Sequence, residues 1–152
     1  MAIRVQPEAF DVAAEIAALT RGRRDIGAVV TFTGLCRDEG GRLAALEIEH
    51  YPGMAQEEIA RVVDEAQRRW PLQGVSVVHR HGRIAPGEDI VLVVTASAHR
   101  RAAFEAAAFL MDYLKTSAPF WKKELGPSGE PGGWVASKAA DVADARRWLD
   151  ES

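Results

Sequence analysis

The chain has 152 residues, 47% hydrophobic and 27% charged, enough to bury one real core and typical of a single globular domain. A formal net charge of -3 excludes a surface that is basic throughout, as a general nucleic-acid binder requires, and the single cysteine, Cys36, excludes an internal disulfide or a zinc site built on several thiolates. No apolar run reaches the roughly 20 residues of a membrane span, and the first residues lack the apolar stretch of a secretory signal, so a cytoplasmic protein is expected.

In chain order, residues 3–6 read as a short first strand, and Asp11 as the N-cap of a helix that carries Val12, Ile16 and Leu19 on one face. The β-branched run from Ile26 to Gly34 is a second strand. After the loop Cys36–Gly41, Leu46 and Ile48 alternate with Glu47 and Glu49 over residues 43–50, and a hairpin is the simple reading of the two runs. Beyond Tyr51-Pro52-Gly53, Ile59, Val62, Val63 and Ala66 at three- and four-residue spacing predict a helix that closes at Trp70-Pro71.

Residues 74–81 and 89–96 read as two strands joined by Gly82-Arg83-Ile84-Ala85-Pro86-Gly87-Glu88, where the Pro-Gly pair suits a type II turn. The second of them, Ile90 to Val94, is apolar on both faces and predicts a central strand covered by helices. A helix follows over residues 98–115, with Phe104, Ala107, Ala108, Met111 and Leu114 as its expected buried face. Residues 118–125 are expected to be extended or irregular, Gly126 to Gly133 a loop, and residues 139–149 a last amphipathic helix. Hairpins mixed with helices predict an α+β fold with a mainly antiparallel sheet.

Between His99 and Lys123 the basic residues Arg100, Arg101, Lys115, Lys122 and Lys123 face only Glu105 and Asp112, so this stretch carries +3 in a negative chain. If those cations converge they make an anion site. Ser97-Ala98-His99-Arg100-Arg101 stands where a strand gives way to a helix, whose free N–H groups and partial positive charge suit phosphate or carboxylate. The alternative is an ordinary Arg101–Glu105 pair on a solvated face. Lys115 and Lys122 flank the aromatic pair Phe120-Trp121, and a lysine crowded by cations and rings is expected to have a lowered pKa, as a nucleophile or general base needs. An exposed salt-bridged stripe is the competing reading for Lys115. His79 and His81, two apart on a strand, are a weak candidate for metal ligation, without further ligands in view. The four tryptophans are expected in the core or at an interface.

The strings Glu49-His50-Tyr51-Pro52-Gly53-Met54, Arg69-Trp70-Pro71-Leu72, Ser97-Ala98-His99-Arg100 and Asp112 to Glu124 together resemble the large-subunit family of molybdopterin synthase. The resemblance covers about residues 26–125. It implies an α/β hammerhead-type fold and a homodimer with a small ubiquitin-like partner docked on each chain, a heterotetramer in all. The partner's C-terminal Gly-Gly carries a thiocarboxylate whose sulfur goes to cyclic pyranopterin monophosphate. It further implies catalytic roles for Lys115 and Lys122, and substrate contacts from Leu35, Cys36, Arg37, His99, Arg100, Lys123 and Glu124 as well as the two lysines. No cofactor or metal is implied. Leu35 and Cys36 stand where the family is expected to have a lysine and a small aliphatic residue, so contact there would run through the backbone. Sulfur arrives on the partner, which leaves Cys36 without a sulfur-carrying role. The lengthened Gly126 to Gly133 stretch bears on whether Lys138 is the cation that reaches across the dimer. A dimeric anion- or nucleotide-binding module without catalysis, or a scaffold for the ubiquitin-like partner, are the competing functions.

Overall fold

The computed structural model describes residues 2–38, 40–41, 43–116, 119–126, 131–135 and 139–149, with 131–135, 139–142 and 147 described by their backbone alone. Two four-stranded sheets carry the architecture. The first has the order β1 (Ala2–Gln6), β4 (Leu72–Arg80), β6 (Asp89–Ser97), β2 (Ala28–Leu35), and only the β1–β4 pair is parallel. The second has the order β5 (Gly82–Ile84), β3 (Ala45–His50), β7 (Phe120–Leu125), β8 (Pro131–Val135), antiparallel throughout. The fold is α+β, and among the described residues no helix is long and apolar enough to cross a membrane.

Strand alternation gives the first sheet two apolar faces. Val78, Leu92 and Val94 point to one side and are covered by helix α1 (Val12–Thr20) through Val12, Ile16 and Leu19. Asp11 caps that helix by accepting from the Ala14 N–H at 3.1 Å. Val75, Val77, Val91 and Val93 point to the other side, into the main core, where helices α2 (Met54–Arg69) and α3 (Arg100–Thr116) bring Ile59, Val62, Val63, Phe109 and Leu110. The expected central strand is therefore β6, buried along nearly its whole length. The turn before it is the expected one: the Glu88 N–H donates to the Ala85 carbonyl at 3.0 Å and Gly87 takes the positive φ of 89° that the third turn position demands.

Three expectations are corrected. β2 and β3 do not form a hairpin; β2 is the edge partner of β6, and β3 pairs with β5 and β7 in the other sheet. The cause sits at Cys36, which is 2% exposed: its N–H donates to the Glu88 carbonyl at 2.8 Å and its carbonyl accepts from the Gly87 N–H at 2.7 Å, steering the chain away from β2. The buried face of α3 is Ala103, Ala106, Ala107, Phe109 and Leu110, with Ala108, Met111 and Leu114 packed at its margin, whereas Phe104 is 60% exposed. Finally, Pro131 to Gly133 belong to β8 and not to a loop, because the backbone pairs with β7 from Leu125 back to Lys122.

At the carboxyl end, helix α4 (Ala139–Arg146) runs into a short 3-10 turn (Arg147–Leu149). Trp148 from that turn packs edge-on against Trp70 and Phe109, and its indole N–H donates to Asp112 at 2.5 Å. Arg69 lies 4.9 Å above the Phe109 ring and donates to the Trp148 carbonyl.

Candidate active site

Two runs of basic residues that neighbour each other in the sequence are separated by the length of helix α3. Arg100 opens that helix and Lys115 lies in its last turn, so a rise of about 1.5 Å per residue puts them about 22 Å apart along the axis. The strand register agrees. Ala28, at the start of β2, is opposite Ser97, just before His99, and Leu35, just before Arg37, is opposite Asp89 at the other end of β6. At about 3.4 Å per residue, the length of β2 separates Arg37 from His99 by more than 20 Å. One chain therefore has two cationic ends, and the convergence of the whole His99–Lys123 stretch does not occur within it.

The first end holds His99 and Arg100, both exposed, in the turn from β6 into α3. Gly27 makes that turn possible by packing closely: its N–H donates to the Ser97 carbonyl at 2.9 Å, and a Cβ on it would fall 2.1 Å from the Ala98 carbonyl oxygen. The neighbouring Arg101 takes the ordinary role considered for it. It pairs with Glu105 at 3.0 Å, and Glu105 also accepts the Trp70 indole N–H at 2.8 Å. Those two donors, Arg101 first, hold the Glu105 carboxyl below its usual range. On this helix stripe Arg101 and Glu105 pair at the surface and Asp112 accepts from the Trp148 indole, and Lys115 follows in the last turn.

The second end gathers Lys115, Lys122 and a residue that the sequence reading undervalued, His79. The His79 imidazole is 4% exposed at the end of β4 and its pKa is pushed down to about 3, chiefly by burial and further by the charges of Lys122, Lys115 and His50. Both lysines are therefore close enough to act on one buried ring. Lys122 comes from β7, where it is opposite Ile48, and Phe120 is opposite His50. Residues two apart on a strand share a face, so Phe120, Lys122 and Glu124 line the same side of the second sheet, with Lys123 on the other side opposite Glu47. Phe120 stacks on His79 with ring centroids 3.8 Å apart and planes 11° from parallel.

Cys36 and Arg37 leave β2 at this same end of the first sheet, and Arg37 is exposed. Leu35 is 53% exposed, but Cys36 has its N–H and carbonyl engaged by Glu88 and Gly87, so its backbone N–H is already committed. Arg80, next to His79, locks the strand ends together by donating to the Pro7 and Asp89 carbonyls. His81 does not extend a metal site with His79. Its ring lies 4.2 Å from that of His50 while His79 stacks on Phe120, and among the described residues no three His, Cys, Asp or Glu side chains gather as metal ligands. The cleft between α2 and α3, lined by Arg61, Glu65, Arg69, Phe109 and Tyr113, is a separate feature whose arginines pair with Glu58 and Glu65. Lys138 lies outside the described residues.

The buried ring had a sequence signal: His79 continues the strand face of Val75 and Val77, both fully buried. Such a histidine is inside by position, whatever its role.

Known proteins resemble this chain along nearly its whole length. The family model described as MoaE protein matches residues 5–117. The molybdopterin synthase catalytic subunit of Mesorhizobium japonicum is 67% identical over 150 residues, covering 99% of this chain and 94% of that protein. Among solved structures, the molybdopterin biosynthesis MoaE protein of Burkholderia ambifaria superposes with a TM-score of 0.83 at 48% identity, covering 98% of this chain and 99% of that one. Molybdopterin synthase of Staphylococcus aureus gives a TM-score of 0.77 at 31% identity, covering 87% and 95%. With matches of that extent along nearly its whole length, the chain belongs to the MoaE protein family.

Proposed function

We propose that the chain is the catalytic subunit of a molybdopterin synthase, a cytoplasmic sulfurtransferase that moves sulfur from the thiocarboxylated C-terminus of a small ubiquitin-like partner to cyclic pyranopterin monophosphate. The observation that carries the reading is the placement of Lys115 in the last turn of α3 and of Lys122 on the same face of β7 as Phe120, which stacks on the buried His79, the lysine charges both lowering the pKa of that ring. Relatives named as molybdopterin synthase catalytic subunits support it, and so does the likeness to the Staphylococcus aureus enzyme.

In this reading the thiocarboxylate sulfur attacks an oxygen-bearing carbon of the pterin side chain, a C–S bond forming as the C–O bond at that carbon opens and its oxygen is protonated, which leaves the partner's acyl group on sulfur as a thioester. Water then takes the acyl group, directly with Lys115 stabilising the carbonyl oxygen or after transient transfer to the Lys115 amine, which leaves a carboxylate on the partner and a thiolate on the pterin, and Lys122 carries protons as the phosphate-bearing ring opens. Arg37, His99 and Arg100 hold the phosphate and pterin oxygens by charge-assisted hydrogen bonds. A separation of about 22 Å along α3 is too great for one small pterin phosphate to touch Lys115 and Arg100 of the same chain. The implied homodimer resolves this, one chain supplying Lys115, Lys122 and Arg37 and its partner supplying His99 and Arg100.

The test is reconstitution: the protein, the thiocarboxylated small subunit and cyclic pyranopterin monophosphate are mixed, and dithiolene product is measured. Product is expected, with a loss of about 100-fold or more in folded Lys115→Ala. Absence of product from the unmodified chain refutes the reading and leaves the non-catalytic anion-binding one, whereas undiminished product from the variant refutes the role given to Lys115.

A further inference from the structure

His79 is held on three sides. Its Nδ1 lies 2.8 Å from the Arg80 carbonyl oxygen, and because a carbonyl only accepts, Nδ1 carries the hydrogen. That bond fixes the rotation of the ring about its own axis, which an apolar side chain of similar size would leave free. One flat face of the ring is covered by Phe120 at 3.8 Å and 11°. Its neighbours of charged or titratable type are Lys122, Lys115 and His50. The ring remains neutral in this setting, since a proton on Nε2 would add a buried cation beside two lysines.

Phe120 is the first residue of β7, and Lys122 follows on the same face of the same strand. β4, which bears His79, belongs to the first sheet, and β7 to the second. The His79–Phe120 stack is thus a contact between the two sheets at the point where β7 begins, and α3, with Lys115 in its last turn, ends just before that point in the chain. We infer that His79 is a positioning residue, whose ring, oriented by the Nδ1–H bond to Arg80, seats Phe120 and thereby sets where Lys122 lies relative to Lys115. The inference rests on the catalytic reading of the two lysines. It adds a residue with no chemical step of its own, which acts through the geometry of the pair.

A double-mutant cycle on the reconstituted synthase tests it, using His79→Leu, Phe120→Leu and the double variant, with His79→Phe as the rescue. Measured are kcat, KM for the pterin substrate and the unfolding midpoint. A misplacement of about 1 Å at a reacting group costs up to about 100-fold, so each single leucine variant is expected to lose about 10- to 100-fold in kcat with KM nearly unchanged. The double variant is expected to be no worse than the poorer single, because both substitutions break one contact. His79→Phe, which keeps a flat face toward Phe120 but lacks the Nδ1–H donor, is expected to recover part of the kcat, more than His79→Leu and less than the wild type. Wild-type kcat in either leucine variant, multiplicative losses in the double, or failure of His79→Phe to exceed His79→Leu each overturns the inference. Phe120 is only half buried, so Phe120→Leu probes the contact even if His79→Leu does not fold. Lys115→Ala and Lys122→Ala are run alongside: wild-type kcat in both refutes the lysine reading itself, whereas their failure together with a multiplicative cycle refutes only the role given to His79.

Discussion

Lowering the pH from about 7.5 to about 5 should remove about 2 kcal/mol of folding stability through His79 alone. The imidazole titrates near 6.5 when unfolded and near about 3 when folded, so between those values the unfolded chain binds more protons. Stability from this group is therefore complete above 6.5 and is lost as the pH falls through the window toward 3. His81, whose pKa is lowered by burial and by His50, adds a smaller loss of the same sign. Carboxylates such as Glu58 and Glu65, held below their usual range by Arg61 and by Arg68 and Arg69, act at more acid pH, so they leave the range above about 5 to the histidines. Urea unfolding at fixed protein concentration, repeated across that range, measures the loss. In His79→Phe the loss should shrink to the part due to His81. A flat profile in the parent protein, or an equally steep one in the variant, would show that His79 is not the buried neutral group described above.

On α3, Phe104→Ser should change stability by no more than about 0.5 kcal/mol, because the ring is 60% exposed, whereas Phe109→Ala should cost about 3–5 kcal/mol; urea unfolding of the two variants decides which face is buried. For a site shared by two chains, Lys115→Ala and Arg100→Ala should each be inactive alone, yet co-refolded in equal amounts they should regain about a quarter of the wild-type activity, since a random mixture of two-fold dimers leaves one of the four combinations of half-sites intact. No recovery in demonstrably mixed dimers would place both residues in the same half-site.

What the sequence disclosed and what it hid follow from the range of the interactions. Asp11 before Val12, the spacing of Ile59, Val62, Val63 and Ala66, and Pro86-Gly87 act through neighbours a few residues away, and α1, α2 and the turn before β6 stand where they were expected. The partners of β2 and β3 depend on contacts across the whole chain, with β6 and with β5 and β7, and the apparent hairpin between them carried no information about those partners. Helix α3 failed differently. Ala103, Phe104, Ala106, Ala107, Ala108, Phe109, Leu110 and Met111 offer apolar side chains in nearly every direction, so periodicity alone does not distinguish a face centred on Phe104 from one centred on Ala103 and Leu110.

The site shows the same contrast in its strongest form. A charge count from His99 to Lys123 describes one basic patch, but α3 is a rod about 25 Å long, and a rod separates what the chain order brings together. The same rod has a constructive consequence. Because α3 lies along the first sheet, its two ends coincide with the two ends of β6, and each cationic group is seated on a rigid element: His99 and Arg100 beyond the end of a central strand, Lys115 near the ring of His79. In the proposed shared site, a two-fold pairing of such chains would bring the first end of one beside the second end of the other, and a single helix length would set the spacing of both sites. On that proposal dimerisation is part of the chemistry, since Lys115 and Arg100 stand at opposite ends of α3 within one chain.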